Sequence, residues 1–565
     1  MPPNMGITRL SGIGWNSLST CLSGSVLPRE PKLCYSKEEV CHPQVQPSLV
    51  GFSAEGAQPR CLSHSLPLPL RYTDSPVNNS SYWPLDYPPL SGYQSWLCGQ
   101  AMRAVEPASV ELVKSHGYET PTSKIVMRWT VITADLLVYI PACLAAVYVF
   151  YGTSSSLSSS SSSPSGSAAA ISRRARVLAL IALLFNPAAI VIDHGHFQYN
   201  SISLGLTLAA VAAIGAGRQL LGAALFSLAL NHKQMALFFA PAFFAHLLGW
   251  ALHSQRHRGL GPKILAVGKL GLTVIATFAV CWAPYLSSKE AVLQVFTRIF
   301  PVRRGLYEDY VANWWCTSSL LIKWKAKFPA HILLRAAAAT TLAAGAPAMA
   351  HQIMGRPARP IGGGGRGPTR WGLLRCLANS AFAFYMFSYQ VHEKSILLPL
   401  LPVTLLAGEE PTLAAWLPIL AAFSMFPLLE RDGVALPYIS LCALYGAVMA
   451  GPALSLARQL HQAQASSKAR RRSGWLKLAV TGLSGWALRH WAVLASLAVA
   501  GNLALHAARL ILPPPERLPW LHDRAFITAA FGGFALTFIY LQISQWLEGD
   551  DGGRGPAVTA QRKRD

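Results

Sequence analysis

Residues 171–215 read ISRRARVLALIALLFNPAAIVIDHGHFQYNSISLGLTLAAVAAIG. Arg173, Arg174 and Arg176 lead into an apolar run at 176–192, and a second apolar run fills 199–215. Between the runs stands a polar cluster, Asp193-His194-Gly195-His196-Phe197-Gln198-Tyr199-Asn200. Each run is close to the length that crosses about 30 Å of hydrocarbon as a helix. Basic residues at one end and ionisable groups gathered at the other describe a membrane hairpin with chemistry on one face.

The same pattern extends through the rest of the chain. Apolar runs fall at 126–150, 176–192, 199–215, 218–230, 235–250, 264–285, 331–351, 373–389, 394–407, 412–429, 433–453, 488–510 and 524–546. The stretch 316–326 is a candidate for one more short membrane helix. Several runs are shorter than the roughly 17 residues of a full crossing, so half-helices and re-entrant segments are allowed. The expected fold class is therefore all-α and polytopic, with about 13 membrane helices.

Composition agrees. Of 565 residues, 52% are hydrophobic and only 13% charged, with a mean hydropathy of +0.32. An ordinary soluble domain carries about 25% charged residues. Lysine and arginine number 48 against 25 acidic residues, a net charge of +23. On a soluble surface that excess would suggest nucleic acid. Here it sits in short clusters between apolar runs, so the expected partner is membrane lipid and not nucleic acid.

Orientation follows from those clusters: Arg173–Arg176, the segments 256–263 and 356–375, Lys468–Arg472, and the tail Gln561–Asp565. If all are cytosolic, the spans alternate without contradiction. The serine-rich tract Ser154–Ser167 and the run Gly362–Gly365 read as solvated spacers. Residues 1–62 hold no sustained apolar run and no signal-peptide pattern, and are expected to be disordered or an aberrant start. No CxxC pair or Cys/His zinc spacing is present.

Five polar clusters fall on the opposite side. They are Tyr82–Pro89, Asp193–Asn200, Asn231–Gln234, Phe300–Tyr310 and Gln390–Ser395. Each has a plain structural reading. Leu85-Asp86-Tyr87-Pro88-Pro89 suits a stiff turn with a helix cap. Asp193, His194 and His196 suit hydrogen-bonded groups at a span end, and an HxH spacing there gives poor tetrahedral metal geometry. His392-Glu393-Lys394 suits an ion pair, and Arg303, Arg304, Glu308 and Asp309 suit a solvated loop face. Together they offer carboxylates, imidazoles, amides, cations and aromatics on one face. That set fits a phosphorylated or glycosylated ligand, with cations for phosphate and carboxylates and amides for hydroxyls. No P-loop, GxSxG or dinucleotide fingerprint occurs.

The stretches Tyr82–Leu90, Ile192–Ser203, Asn231–Met235, Phe300–Asn313 and Ser388–Leu398 resemble, in order, the motif set of the endoplasmic-reticulum dolichyl-phosphate-glucose-dependent glucosyltransferases. The resemblance runs from about Ser63 to about Leu547 and is nearest to the enzyme that adds the first glucose. It implies a GT-C fold and inverting transfer of glucose from dolichyl-phosphate-glucose to the nine-mannose dolichyl-diphosphate-linked oligosaccharide, giving an alpha-1,3 bond in N-glycosylation. No cofactor or metal is implied. The site would face the lumen and be lined by Asp86, His196, Gln198, Lys233, Arg304, Glu308, Asp309, His392, Glu393 and Lys394. Of these, Asp86 is expected to bind the acceptor sugar or shape the first loop. Arg304, His392 and Lys394 are the candidates for the donor phosphate.

One departure stands out. The family's first loop opens with an acidic motif of the type Asp-(Tyr/Phe)-Glu-Ala-Gln-Arg-His-Trp, preceded by a membrane span, and its Asp is the expected base. Residues 1–62 contain neither. With that span the count would be fourteen, and the catalytic base stays unassigned. The alternatives are the second glucosyltransferase of the same pathway, a catalytically impaired homologue, and a lipid-linked-sugar transporter. The expected organisation is 1–62 unpatterned, 63–125 a lumenal first loop, 126–547 the membrane transferase domain and 548–565 a cytosolic tail. A reporter fused after Arg472 is expected to read cytosolic; glycosylation of a sequon inserted there would break the span count.

Overall fold

In the computed structural model every apolar run identified above is helical. The structure describes residues 72–73, 85–111, 114–115, 117–152, 166–253, 259–300, 305–307, 309–357, 366–465 and 475–547. Residues 1–62 and the tail 548–565 lie outside them. Among the described residues, eight helices are long and apolar enough to cross a membrane: Pro121–Tyr151, Ile171–Gly195, Gln234–His253, Leu260–Tyr285, Ala330–Met354, Ala435–Gln462, Trp491–Ile511 and Leu521–Trp546. Shorter apolar helices, Asn200–Gly215 and Pro411–Ser424, pack among them. The only described β-strands are two residues each, Arg356–Pro357 paired antiparallel with Arg366–Gly367.

Local chemistry sets where the helices start and bend. Thr120 and Ser123 form a reciprocal capping box with Pro121 in the first turn, which fixes the start of the first span. Asn186 accepts hydrogen bonds from the Ala188 and Ala189 amides ahead of Pro187, so the second span breaks and restarts there. Both of these spans carry a π-turn, Asp135–Tyr139 in the first and Val191–Gly195 in the second. A π-turn widens the helix by one residue and re-aims its side chains.

The expected short span at 394–407 is a nine-residue helix, Leu397–Leu405, entered through a 3₁₀ turn at Glu393–Ile396. Nine residues rise only about 14 Å. All nine are buried, so protein rather than lipid satisfies the ends of this half-helix. Arg370–Phe387 beside it is almost wholly buried as well, and these two helices form the centre. Trp491–Ile511 has no buried residue and lies at the periphery, where its exposed leucines and valines meet hydrocarbon.

Two stretches differ from the reading of the apolar pattern. The candidate helix at 316–326 is two pieces, Trp314–Ser318 and Trp324–Lys327, of five and four residues, too short to cross. The segment Trp475–Arg489, which the pattern leaves as loop, is helical. At fifteen residues it is shorter than a full crossing.

The basic ends of the helices are tied to one another. Arg370 donates to the Val149 carbonyl at 3.0 Å, and Tyr151 donates to the Leu405 carbonyl at 2.6 Å while accepting from the Gly408 amide. Helices Ala240–His253 and Ala330–Met354 approach closely at Gly249, where an added Cβ would lie 2.3 Å from the Gln352 carbonyl oxygen. Small residues permit such approaches inside membranes. Gly249→Ala is therefore expected to cost about 1–3 kcal/mol through overpacking. Gly268→Ala, with nothing within 4 Å of the new methyl group, is expected to be neutral or slightly stabilising. Thermal unfolding of the purified protein in detergent checks the pair.

Candidate functional site

The Asp193–Asn200 loop, at the end of helix Ile171–Gly195 opposite Arg173 and Arg174, is the hub. Asp193 is buried, and its two oxygens accept from the Asn200 side-chain amide at 2.7 Å and the Ser201 amide at 2.8 Å. It thereby caps the helix Asn200–Gly215 from seven residues upstream. Asn200 also donates to Gln198 Oε1 at 3.1 Å. Lys233, buried at the end of helix Gln219–His232, donates to Gln198 Oε1 at 3.2 Å and to Asn200 Oδ1. Its ammonium lies 5.4 Å from the centre of the Tyr87 ring, a cation–π arrangement. Gln234 then donates to the main-chain carbonyl of Asp86 at 2.8 Å, and Ser91 to that of His232 at 2.5 Å. The first loop is thus stitched onto the turn after Asn231.

The other half of the hub loop reaches the remaining clusters. His196 Nδ1 lies 2.6 Å from Asp432 Oδ2, and Lys394 Nζ lies 3.0 Å from His196 Nε2. Lys394 is also 4.0 Å from the buried Glu393. The segment carrying Lys394 is joined to the loop after Gly305 by a parallel bridge between Tyr307 and Val391 and by a 3.1 Å bond from the Gln390 amide to the Leu306 carbonyl. Asp309 accepts from Arg431 at 3.0 Å. With both side chains about half exposed, at 54% and 52%, that pair adds little stability. Asp309, Tyr310, Glu393, Ser424 and Arg431 line one small pocket. Burial pushes the Tyr310 hydroxyl above its ordinary value, so at neutral pH it is a phenol able to donate.

Backbone strain concentrates here. Among the described residues the non-glycine positions with positive φ are Phe197 at 69°, Asp309 at 50° and Gln390 at 61°. All three lie within polar clusters singled out in the sequence. Non-glycine residues are held there only where surrounding contacts over-determine them, and such positions gather at functional sites.

The structure thus links all five sequence clusters in an unbroken series of contacts. It brings His196 against Lys394 and Gln198 against Lys233, and sets Glu393 beside Lys394. Asp86 joins through its carbonyl, and His392 is half-buried at the start of the turn containing Glu393. Asp309 lines the same pocket as Glu393. Arg304 and Glu308 lie outside the described residues. His194 and His196 diverge: His194 Nε2 meets Asp135 Oδ2 at 2.8 Å, joining the two π-turns, while His196 meets Asp432. No group of three potential metal ligands converges among the described residues.

Asp432, Arg431 and Asp135 are absent from the sequence-derived set. The run Glu430-Arg431-Asp432-Gly433 closes an apolar span as the other clusters do, and that was the available signal. Nearby, Arg509 links Glu430 and Asp523, and Arg524 donates to the Cys316 carbonyl at 2.7 Å. These pairs tie the last two helices to the same end.

The ALG6, ALG8 glycosyltransferase family matches residues 62–540, a stretch that contains all five clusters. The chain belongs to this family. It is an all-α polytopic membrane glycosyltransferase with a GT-C fold, and its enzyme class is hexosyltransferase. Among relatives, the probable dolichyl pyrophosphate Man9GlcNAc2 alpha-1,3-glucosyltransferase of Arabidopsis thaliana is 39% identical over 485 residues, covering 86% of this chain and 82% of the relative. The dolichyl pyrophosphate Man9GlcNAc2 alpha-1,3-glucosyltransferase of Gallus gallus is 36% identical over 487 residues, covering 85% and 88%. The Saccharomyces cerevisiae protein of that name is 37% identical over 368 residues, covering 63% and 61%.

Within this glycosyltransferase the capping role of Asp193 is open to a direct check. Asp193→Ala removes both accepting oxygens and is expected to cost about 1–2 kcal/mol. Asp193→Asn keeps one and is expected to cost less. Both are read as midpoints of thermal unfolding in detergent.

Proposed function

We propose that this chain transfers glucose from dolichyl-phosphate-glucose to the nine-mannose dolichyl-diphosphate-linked oligosaccharide, forming an alpha-1,3 bond with inversion. The reaction takes place on the lumenal face of the endoplasmic-reticulum membrane. The observation that carries the reading is the joining of all five polar clusters in one series of contacts. The names of the relatives, which specify a Man9GlcNAc2 alpha-1,3-glucosyltransferase, supply the substrate. The positive-inside rule puts the basic ends in the cytosol and hence the clusters in the lumen.

The chemistry needs few parts. A carboxylate takes the proton of the mannose hydroxyl as its oxygen attacks the anomeric carbon, and the glucosyl–phosphate bond breaks. Dolichyl phosphate leaves without a general acid, provided that positive charge holds it. In our reading Arg304, His392 and Lys394 supply that hold, while Asp86, Gln198, Lys233, Glu308, Asp309 and Glu393 line the sugar side. A buried ammonium already fixed by amide oxygens, as at Lys233, costs no reorganisation when a hydroxyl arrives.

The test gives the purified protein dolichyl-phosphate-glucose with either the nine-mannose acceptor or the same acceptor already carrying one glucose. Since residues 1–62 contain no acidic first-loop motif, the protein is supplied with a family-type first span and motif joined near Ser63. Glucosylation of the first acceptor and not the second is expected; the reverse assigns the chain to the second step. In the same background Lys394→Ala is expected to cost about 2–4 kcal/mol in kcat/KM for the donor. Unchanged donor kinetics removes Lys394 from the site.

A further inference from the structure

We propose that Asp432 is a positioning residue for the ligand-binding ammonium of Lys394, acting through the imidazole of His196. The inference rests on the reading above that Lys394 faces the donor phosphate. Asp432, His196 and Lys394 come from three separate segments, yet they form one line of polar contacts. Asp432 Oδ2 lies 2.6 Å from His196 Nδ1, and His196 Nε2 lies 3.0 Å from Lys394 Nζ.

The line has a direction. An ammonium has donors and no acceptor, so His196 Nε2 must accept from Lys394. The proton of the neutral ring then resides on Nδ1, where the Asp432 carboxylate accepts it. Each end of the chain dictates the same tautomer. A ring with its proton on Nε2 would present an N–H to the lysine ammonium and a lone pair to the carboxylate, losing both hydrogen bonds at once.

The surroundings favour transmission over solvent screening. The His196 and Asp432 side chains are only 13% and 10% exposed, and Lys394 only 20%. Asp432 is itself held by its backbone, its amide donating to the Leu428 carbonyl at 3.1 Å, with Gly433 turning at a φ of 72° immediately after it. The next residue, Phe197, is strained at a φ of 69°, which sets the exit of the chain from His196. The anchor and the ring are therefore held, and the member of the three with the most rotatable bonds is the lysine side chain. One of its three N–H donors goes to His196, which leaves donors for a phosphate oxygen. Fixing the ammonium before the ligand arrives lowers the ordering cost of binding.

The experiment titrates a short-chain polyprenyl phosphate into the purified full-length protein in detergent and reads binding, which requires neither acceptor nor turnover. Asp432→Ala is expected to weaken binding about tenfold. Lys394→Ala is expected to weaken it at least as much, and the double variant no further, because the two residues act through one contact. Asp432→Asn, whose amide oxygen can still accept from Nδ1, is expected to recover most of the affinity. His196→Phe removes the ring nitrogens and is by itself expected to weaken binding about tenfold, with Asp432→Ala silent in its background. If the alanine variant does not fold, His196→Phe alone carries the test, and parental affinity in it overturns the inference. Additive losses in the double variant overturn the inference, as does parental affinity in Asp432→Ala beside a weakened Lys394→Ala, with the donor reading intact. Absence of polyprenyl phosphate binding by the parent overturns the donor reading itself and the positioning role with it.

Discussion

Hydrocarbon offers no hydrogen bonds and does not solvate charge, so every polar group that this chain carries into the bundle must find its complement inside the protein. The core shows how far that requirement reaches. His246 pairs with Gln352 at 2.9 Å, Gln352 with His351 at 3.2 Å, and Asn379 with Gln545 at 2.8 Å. These residues belong to four helices, and they fix the register of those helices in a way that apolar contacts, which slide at little cost, do not. Arg375 is held in the same manner, beside Glu410 at 3.4 Å, with Tyr540 donating to that carboxylate at 2.7 Å. Buried pairs of this sort contribute less to net stability than to making any other arrangement costly.

The same constraint builds the functional end. Lys233 can be buried because Gln198 and Asn200 accept from it, and those two amides are in place because Asp193 caps the helix that follows. His196 is fixed between Asp432 and Lys394. The result is a wall of donors and acceptors whose orientations are set before any ligand is present. Glycosyl transfer from a lipid phosphate benefits from such a wall, since a phosphate leaving group needs fixed positive charge more than it needs a proton. The strained backbone at Phe197, Asp309 and Gln390 is the conformational cost of holding the wall in shape.

The half-helix Leu397–Leu405 follows from this arrangement. A full span there would carry Glu393 and Lys394 away from His196 and from the pocket bearing Asp309 and Arg431. A nine-residue helix entered through a 3₁₀ turn keeps the charged turn against its neighbours, and complete burial makes the short helix tolerable.

Much of this was legible in the amino-acid order, because membrane insertion is governed by local hydropathy and charge. The runs beginning near residues 126, 176 and 331 are helices, and the clusters at 193–200, 231–234 and 390–395 meet at one end as the alternation of basic loops requires. Hydropathy could not separate Trp314–Ser318 from a crossing helix, since aromatic and apolar residues score alike in a surface turn and in a span. Nor could it assign partners. Asp432 is 236 residues from His196, and Asp135 is 59 from His194, so those pairings exist only once the helices have packed. Sequence determined which groups sit at the membrane face because burial in lipid is a property of a segment. Tertiary structure alone decided which groups touch, because a hydrogen bond depends on the ångström-scale placement of two segments that the chain order leaves free.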